Sequence, residues 1–235
     1  MSAVLFFKLN NPVNINFSFT NAVLKYHKTM NLEKLKEAES AFLHKYPGGF
    51  EHLDMQTIGK KHGMSKRITQ AQTFFAKNKF RDAVEICANM TKVISASSMV
   101  SLFEKPKFRD LLKTLTEKQK NQLSKGLKNF LHGNQEKGFK EMLDILRSGK
   151  LAKWSLMTII PNYYHPDQEV FVKPTTAKGV IATFELEGLI YKPQPTWKFY
   201  IRYRETILEM KDLVDSSLTP SNAAFSGFLM MMMDS

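Results

Sequence analysis

Helix-starting and helix-stopping residues recur along this chain at helix-length intervals, and that punctuation constrains the fold more than any other feature of the sequence. Asn31 stands ahead of LEKLKEAESAFLHKY, where Leu35, Ala38, Phe42 and Tyr46 fall on one face, and Pro47-Gly48-Gly49 ends the run. Phe50 to His62 reads as a second helical stretch stopped by Gly63, and Ser65 to Lys77 as a third. Phe80 to Ser95 places Phe80, Val84, Cys87, Ala88 and Val93 or Ile94 inward. Glu104 opens a short helix to Leu115, and Thr116 with Gln119 has the form of a capping box for a helix that buries Leu123, Leu127, Phe130 and Leu131. Asn134 caps the next, with Phe139, Met142, Leu143 and Leu146 inward and Gly149 at its end. Leu151 to Ile160 is apolar on nearly every side, which predicts the most buried helix, ended by Pro161. Glu169 to Val172 has the pattern of one short strand, and Thr175 to Leu189 that of a helix. Thr196 caps a long helix to about Asp215, and Thr219-Pro220 opens a C-terminal apolar run. The expectation is a mainly α, multi-helix globular protein with few short strands.

The 235 residues are enough to bury a sizeable core, and a hydrophobic content of 43% argues against disorder over most of the chain. Cys87 is the single cysteine, so an intrachain disulfide and metal sites built on several cysteines are excluded. It sits between apolar neighbours and reads as a small buried hydrophobe; the lack of paired cysteines points to the cytoplasm. No stretch approaches the roughly 20 apolar residues of a membrane span, so no membrane partner is expected. Residues 1–29 hold five asparagines and no acidic residue, and read as a poorly ordered tail or as text ahead of a natural start at Met30. The expected division is that tail, a helical domain over 30–160 and a C-terminal part over 161–235.

The formal charge is +12, and its distribution is uneven. Residues 101–160 carry thirteen Lys and Arg against six Asp and Glu, whereas residues 161–235 carry seven against nine. Lys60, Lys61, Lys66 and Arg67 flank Gly63; Lys77, Lys79 and Arg81 follow; Lys118, Lys120, Lys125 and Lys128 share one helix. Lysines in such patterns can simply be a solvated face, but a charge this far from zero favours a polyanionic partner.

Lys173 to Tyr200, KPTTAKGVIATFELEGLIYKPQPTWKFY, runs from an extended approach through a short helix to a Pro-pinned return ending in aromatics. That order resembles the last helix and wing of a winged helix-turn-helix module. The resemblance implies nucleic-acid contact by Lys173, Thr175, Thr176 and Lys178 at the helix start and by Lys192, Lys198, Arg202 and Arg204 after the return. Glu185, Glu187 and the absence of a clear preceding helix weigh against it, and Ile181, Phe184, Leu186 and Leu189 also suit a packed core. The crowd of Tyr163, Tyr164, Tyr191, Trp197, Tyr200 and Tyr203 near basic residues suits either base stacking or core packing. EKPKFRD at 104–110, FVKPTTAKG, YKPQPTWKFY and the closing NAAFSGFLMM also resemble marks of an uncharacterised bacterial protein family. That likeness implies an ordered, mostly helical fold and supplies no activity.

Motifs for chemistry are missing. There is no GxxxxGK[ST], GxGxxG or GxSxG, and the six histidines lack the spacing of a zinc-dependent hydrolase. His165, Asp167 and Glu169 are the nearest to a metal cluster, but three ligands from one short segment give poor closure, and Pro166-Asp167 with Glu169 and Lys173 lacks nuclease spacing. No catalytic residue, metal or cofactor is expected. The sequence thus reads as a non-enzymatic protein that binds DNA or RNA. The alternative is a helical scaffold whose basic face meets an acidic protein partner.

Overall fold

The computed structural model describes residues 30–233, which form eleven α-helices and, among the described residues, no strand. The expected tail over 1–29 lies outside the described residues. In order the helices are α1 (Leu32–Lys45), α2 (Leu53–His62), α3 (Met64–Phe74), α4 (Ala83–Ala96), α5 (Glu104–Thr114), α6 (Glu117–His132), α7 (Gln135–Ser148), α8 (Trp154–Tyr164), α9 (Pro174–Thr183), α10 (Trp197–Lys211) and α11 (Asn222–Met232). Short 3-10 turns stand at Gly49–Glu51, Lys77–Lys79 and Ser216–Leu218. The mainly α expectation is met. Asn31, Thr116, Asn134 and Thr196 each accept a backbone N–H at the helix start they were expected to cap, and Thr116 with Gln119 forms the full capping box.

The antiparallel hairpin of α6 and α7 is the most intimate pairing in the molecule. Its closeness has a steric origin. A Cβ added to Gly138 would stand 2.5 Å from the carbonyl oxygen of Gly126 and would also strike the backbone nitrogen of Phe130. Hydrogen at position 138 therefore lets the two backbones touch, and Phe130 and Phe139 then pack edge-on at 5.8 Å between ring centroids. Helix α4 lies across α6, α5 against α4, and α3 against α8. Helix α11 packs on α9, α10 and α1. The Asn31 N–H donates to the Phe184 carbonyl at 2.8 Å, joining the start of α1 to the end of α9. Buried apolar side chains from Met30 to Leu229 form one core.

Several local expectations are corrected. Pro161 does not stop its helix; α8 runs on to Tyr164 with the proline inside it. Proline removes one backbone bond, and burial of Ile159, Ile160 and Tyr163 on that helix offsets the loss. The expected boundary at residue 160 thus falls within a continuous helix. Glu169 to Val172 is not a strand: no described segment pairs with it, and the Val172 N–H is taken by the Thr158 hydroxyl at 3.0 Å. The C-terminal helix is capped by Ser221 in place of Thr219, and α9 ends at Thr183, short of Leu189. On α4, Cys87, Val93 and Ile94 face the core as expected, whereas Val84 and Ala88 are exposed and Ile86 and Met90 are buried.

A buried carboxylate ties the C-terminal helices to the rest. Glu169 is 1% exposed, accepts from the Tyr200 hydroxyl at 2.5 Å and from Gln135 Nε2 at 2.7 Å, and is ion-paired with Arg204. Its backbone carbonyl accepts from Asn222 Nδ2 at 3.1 Å, and Asn222 Oδ1 accepts from Lys211 at 3.0 Å. Burial and the Glu169 charge push the Tyr200 phenol well above its ordinary value, so it stays a donor.

Two substitutions test these joints. Arg204→Ala strands a buried carboxylate and is expected to cost about 3–5 kcal/mol in urea unfolding. Gly138→Ala is expected to cost about 1–3 kcal/mol by forcing α6 and α7 apart, against a stabilising effect at an unobstructed helical glycine.

Candidate polyanion interface

The structure separates the eight residues expected to touch nucleic acid. Arg204 turns inward to Glu169, with its side chain 14% exposed, so it belongs to the core network. Thr176 is buried, whereas Lys173 and Thr175 are exposed at the start of α9. Lys178 stands 5.3 Å above the Tyr191 ring. Lys192 is exposed in the return segment, where its carbonyl accepts from Trp154 Nε1 at 2.8 Å. Lys198 is exposed and Arg202 half-buried, one turn apart on α10 and so on one face of it. Residues 184–196 form turns without a strand pair, so no hairpin wing is formed there. Of the crowded aromatics, Tyr163, Tyr200 and Tyr203 are fully buried, and Trp197 packs against Phe139 at 5.6 Å. Core packing accounts for them.

The basic middle of the chain is arranged differently. Lys77 and Lys79 lie in the 3-10 turn after α3, Arg81 follows it, and Lys118, Lys125 and Lys128 line the side of α6 away from Leu123, Leu127 and Phe130. His132, in the last turn of α6, bonds to the Phe75 carbonyl at 2.8 Å and packs edge-on against the Phe80 ring at 5.8 Å, which sets the 77–81 turn beside α6. The turn and α6 therefore present their cations on neighbouring surface. Among the described residues the ion pairs engage other cations, such as Lys34 with Glu185, Lys140 with Glu136 and Lys211 with Asp167. None of Lys77, Lys79, Arg81, Lys120, Lys125 or Lys128 is in one. Clustering in the sequence marks these positions without distinguishing them from paired lysines, because pairing depends on which helices become neighbours.

Cys87 is buried on α4, and burial raises its thiol to about 11, the opposite of an activated nucleophile. No group of three His, Cys, Asp or Glu that could hold a metal exists among the described residues. His165 donates from Nε2 to the Leu131 carbonyl at 3.0 Å, which ties it to the end of α6. No described helix is long and apolar enough to cross a membrane. A cavity of about 410 Å³ opens on another part of the surface, between α2, the start of α9 and α11. Compared with models of protein families, with curated proteins and with solved structures, the chain matches none.

His132 reports on this surface. Its Nε2 donates to the Phe75 carbonyl at 2.8 Å, and burial, then His165, Lys77 and Lys128, hold its pKa below 6.5 despite that bond. A depressed pKa in the folded state adds stability that is complete above the unfolded value and is lost as pH falls through the folded one. Urea midpoints are accordingly expected to fall on going from about pH 7.5 to about pH 5.5, and less steeply in His132→Gln, which keeps a donor for Phe75.

Proposed function

We propose that the protein is a non-enzymatic nucleic-acid-binding protein that grips the phosphate backbone with the outer face of α6 and the adjoining 77–81 turn. The observation that carries this reading is the run of cations there without ion-pair partners among the described residues, including Lys77, Lys79, Lys125 and Lys128, in a chain of net charge +12. An unpaired lysine gives up no carboxylate when it meets a phosphate, and each phosphate neutralised releases counterions. In the winged-helix-like part of the reading, α9 stands in the place of the recognition helix and the Pro193–Pro195 return in the place of the wing. With Arg204 internal and the return without strands, Lys192, Lys198 and Arg202 act as a secondary contact. The face is suited to backbone more than to bases, because lysines carry charge without the planar, two-pronged geometry that reads a guanine edge.

A second reading, an acidic protein partner, draws support from Leu102 and Phe103, which are 78% and 81% exposed just ahead of Lys105 and Lys107. Apolar residues beside lysines suit a protein surface better than a phosphate backbone.

Fluorescence anisotropy with labelled single- and double-stranded oligonucleotides separates the two. Neutralising Lys77, Lys79, Lys125 and Lys128 together is expected to flatten the dependence of log K on log salt for duplex, by about 0.9 for each phosphate that is no longer neutralised. Leu102→Ser with Phe103→Ser is expected to leave that binding intact. Absence of binding at low salt would remove the nucleic-acid reading in favour of the acidic protein partner.

A further inference from the structure

The cavity between α2, α9 and α11 has a chemistry of its own. Met55 comes from α2, Met64 from the start of α3, Met99 from the loop after α4, and Met230 and Met231 from α11. Unbranched thioether side chains adapt their rotamers to a flexible apolar guest in a way that branched side chains do not. No Asp or Glu among the described residues lines the space.

Two helical glycines give a second, independent observation. Gly59 of α2 and Gly227 of α11 both line the cavity, and a Cβ added to either would meet no heavy atom of the described residues within 4 Å. Elsewhere in the helices a close neighbour accounts for glycine: Gly126 and Gly138 sit between backbones, and Gly179 lies under Met233. Glycine is the least favourable residue after proline inside a helix, so an unobstructed one calls for another explanation. Both positions border the cavity, and no close neighbour among the described residues holds either as glycine.

One polar part of the lining is the start of α9, while Gln56, Ser221 and Ser226 contribute others. Thr176 lines the cavity at only 7% exposure, and its hydroxyl bonds to no group among the described residues. Lys173 lines the same end and is in no ion pair there. The α9 start has no side-chain cap, which leaves the Thr175 and Thr176 N–H groups free beside them. A lysine, a hydroxyl and a helix N-terminus together favour an anion. His62 also lines the cavity, and its Nδ1 is bonded to the Ser98 hydroxyl at 2.8 Å.

We propose that this cavity binds a single-chain amphipathic carboxylate of the fatty-acid class, its tail among the methionines and its head at Lys173 and Thr176. The volume of about 410 Å³ falls within the ordinary range for small-molecule sites, roughly 300–1,000 Å³. This proposal stands apart from the polyanion face, since it rests on none of the α6 lysines.

The test is a titration of the full chain, labelled at its methionine methyl groups, with decanoate and with decanol, followed by NMR. Decanoate is expected to shift the signals of Met55, Met64, Met99, Met230 and Met231 saturably while leaving those of the core residues Met142 and Met157 in place. Decanol is expected to bind more weakly. Lys173→Gln is expected to weaken decanoate about tenfold, the effect of removing one charge-assisted hydrogen bond, with decanol unchanged. Gly227→Leu is expected to abolish binding of both without lowering the thermal midpoint, which separates a filled cavity from a damaged fold. No saturable shift, equal affinity for the two probes, or undiminished decanoate binding by Gly227→Leu or Lys173→Gln would overturn the proposal.

Discussion

A single buried carboxylate organises the C-terminal half of this protein. Glu169 lies on a segment without regular structure, where nothing repetitive holds the backbone, yet it is 1% exposed. Leaving such a group charged and alone in a core is prohibitively costly, so the fold must bring Arg204, Tyr200 and Gln135 to it at the same time. Those partners come from α7 and from two successive turns of α10. Asn222, at the start of α11, closes the arrangement through the Glu169 carbonyl. The network is directional where apolar packing is not. A rotation of α10 by one residue would preserve much of its apolar contact but separate Arg204 from the carboxylate.

That demand has a consequence for the surface. Arg204 is one of seven cations in residues 161–235, a part already net acidic, and its charge is directed inside. The middle of the chain behaves in the opposite way. Its hairpin of α6 and α7 is held by backbone contact at Gly138 and by aromatic rings, so its lysines take no part in holding the core. Long side chains on such a hairpin can stay hydrated and unpaired, which is the condition in which they respond most to an external polyanion.

What can be read from the sequence is what local physics decides. Asn31, Thr116, Asn134 and Thr196 cap their helices because a cap needs its own side chain and the amides two or three residues on. The apolar spacing in α6 and α7 places Phe130 and Phe139 inside for a similar reason. Prediction fails where distant residues decide. Pro161 reads as a stop because its cost is local, while the burial that offsets it comes from other helices. Glu169-Val170-Phe171-Val172 has strand composition, but a strand exists only if another pairs with it. Arg204 and Lys198 look alike in the sequence, and only the position of Glu169, thirty-five residues before Arg204, sends one inward and leaves the other in water.

The glycines show the same division between local cost and distant cause. Each one inside a helix costs about 1 kcal/mol relative to alanine. At Gly138 the compensation is visible: the touching backbones of α6 and α7 bring their aromatic side chains into contact. At Gly59 and Gly227 nothing among the described residues occupies the space a side chain would fill, so packing within that part of the chain does not offset the cost. Both positions border the same cavity, on helices far apart in sequence, and that cavity also receives the unbonded Thr176 hydroxyl. Two unrelated departures from helix preference meeting at one space are more simply explained by a guest than by packing. A guest that binds the folded state alone would also stabilise it by mass action, supplying a compensation that the empty fold does not contain.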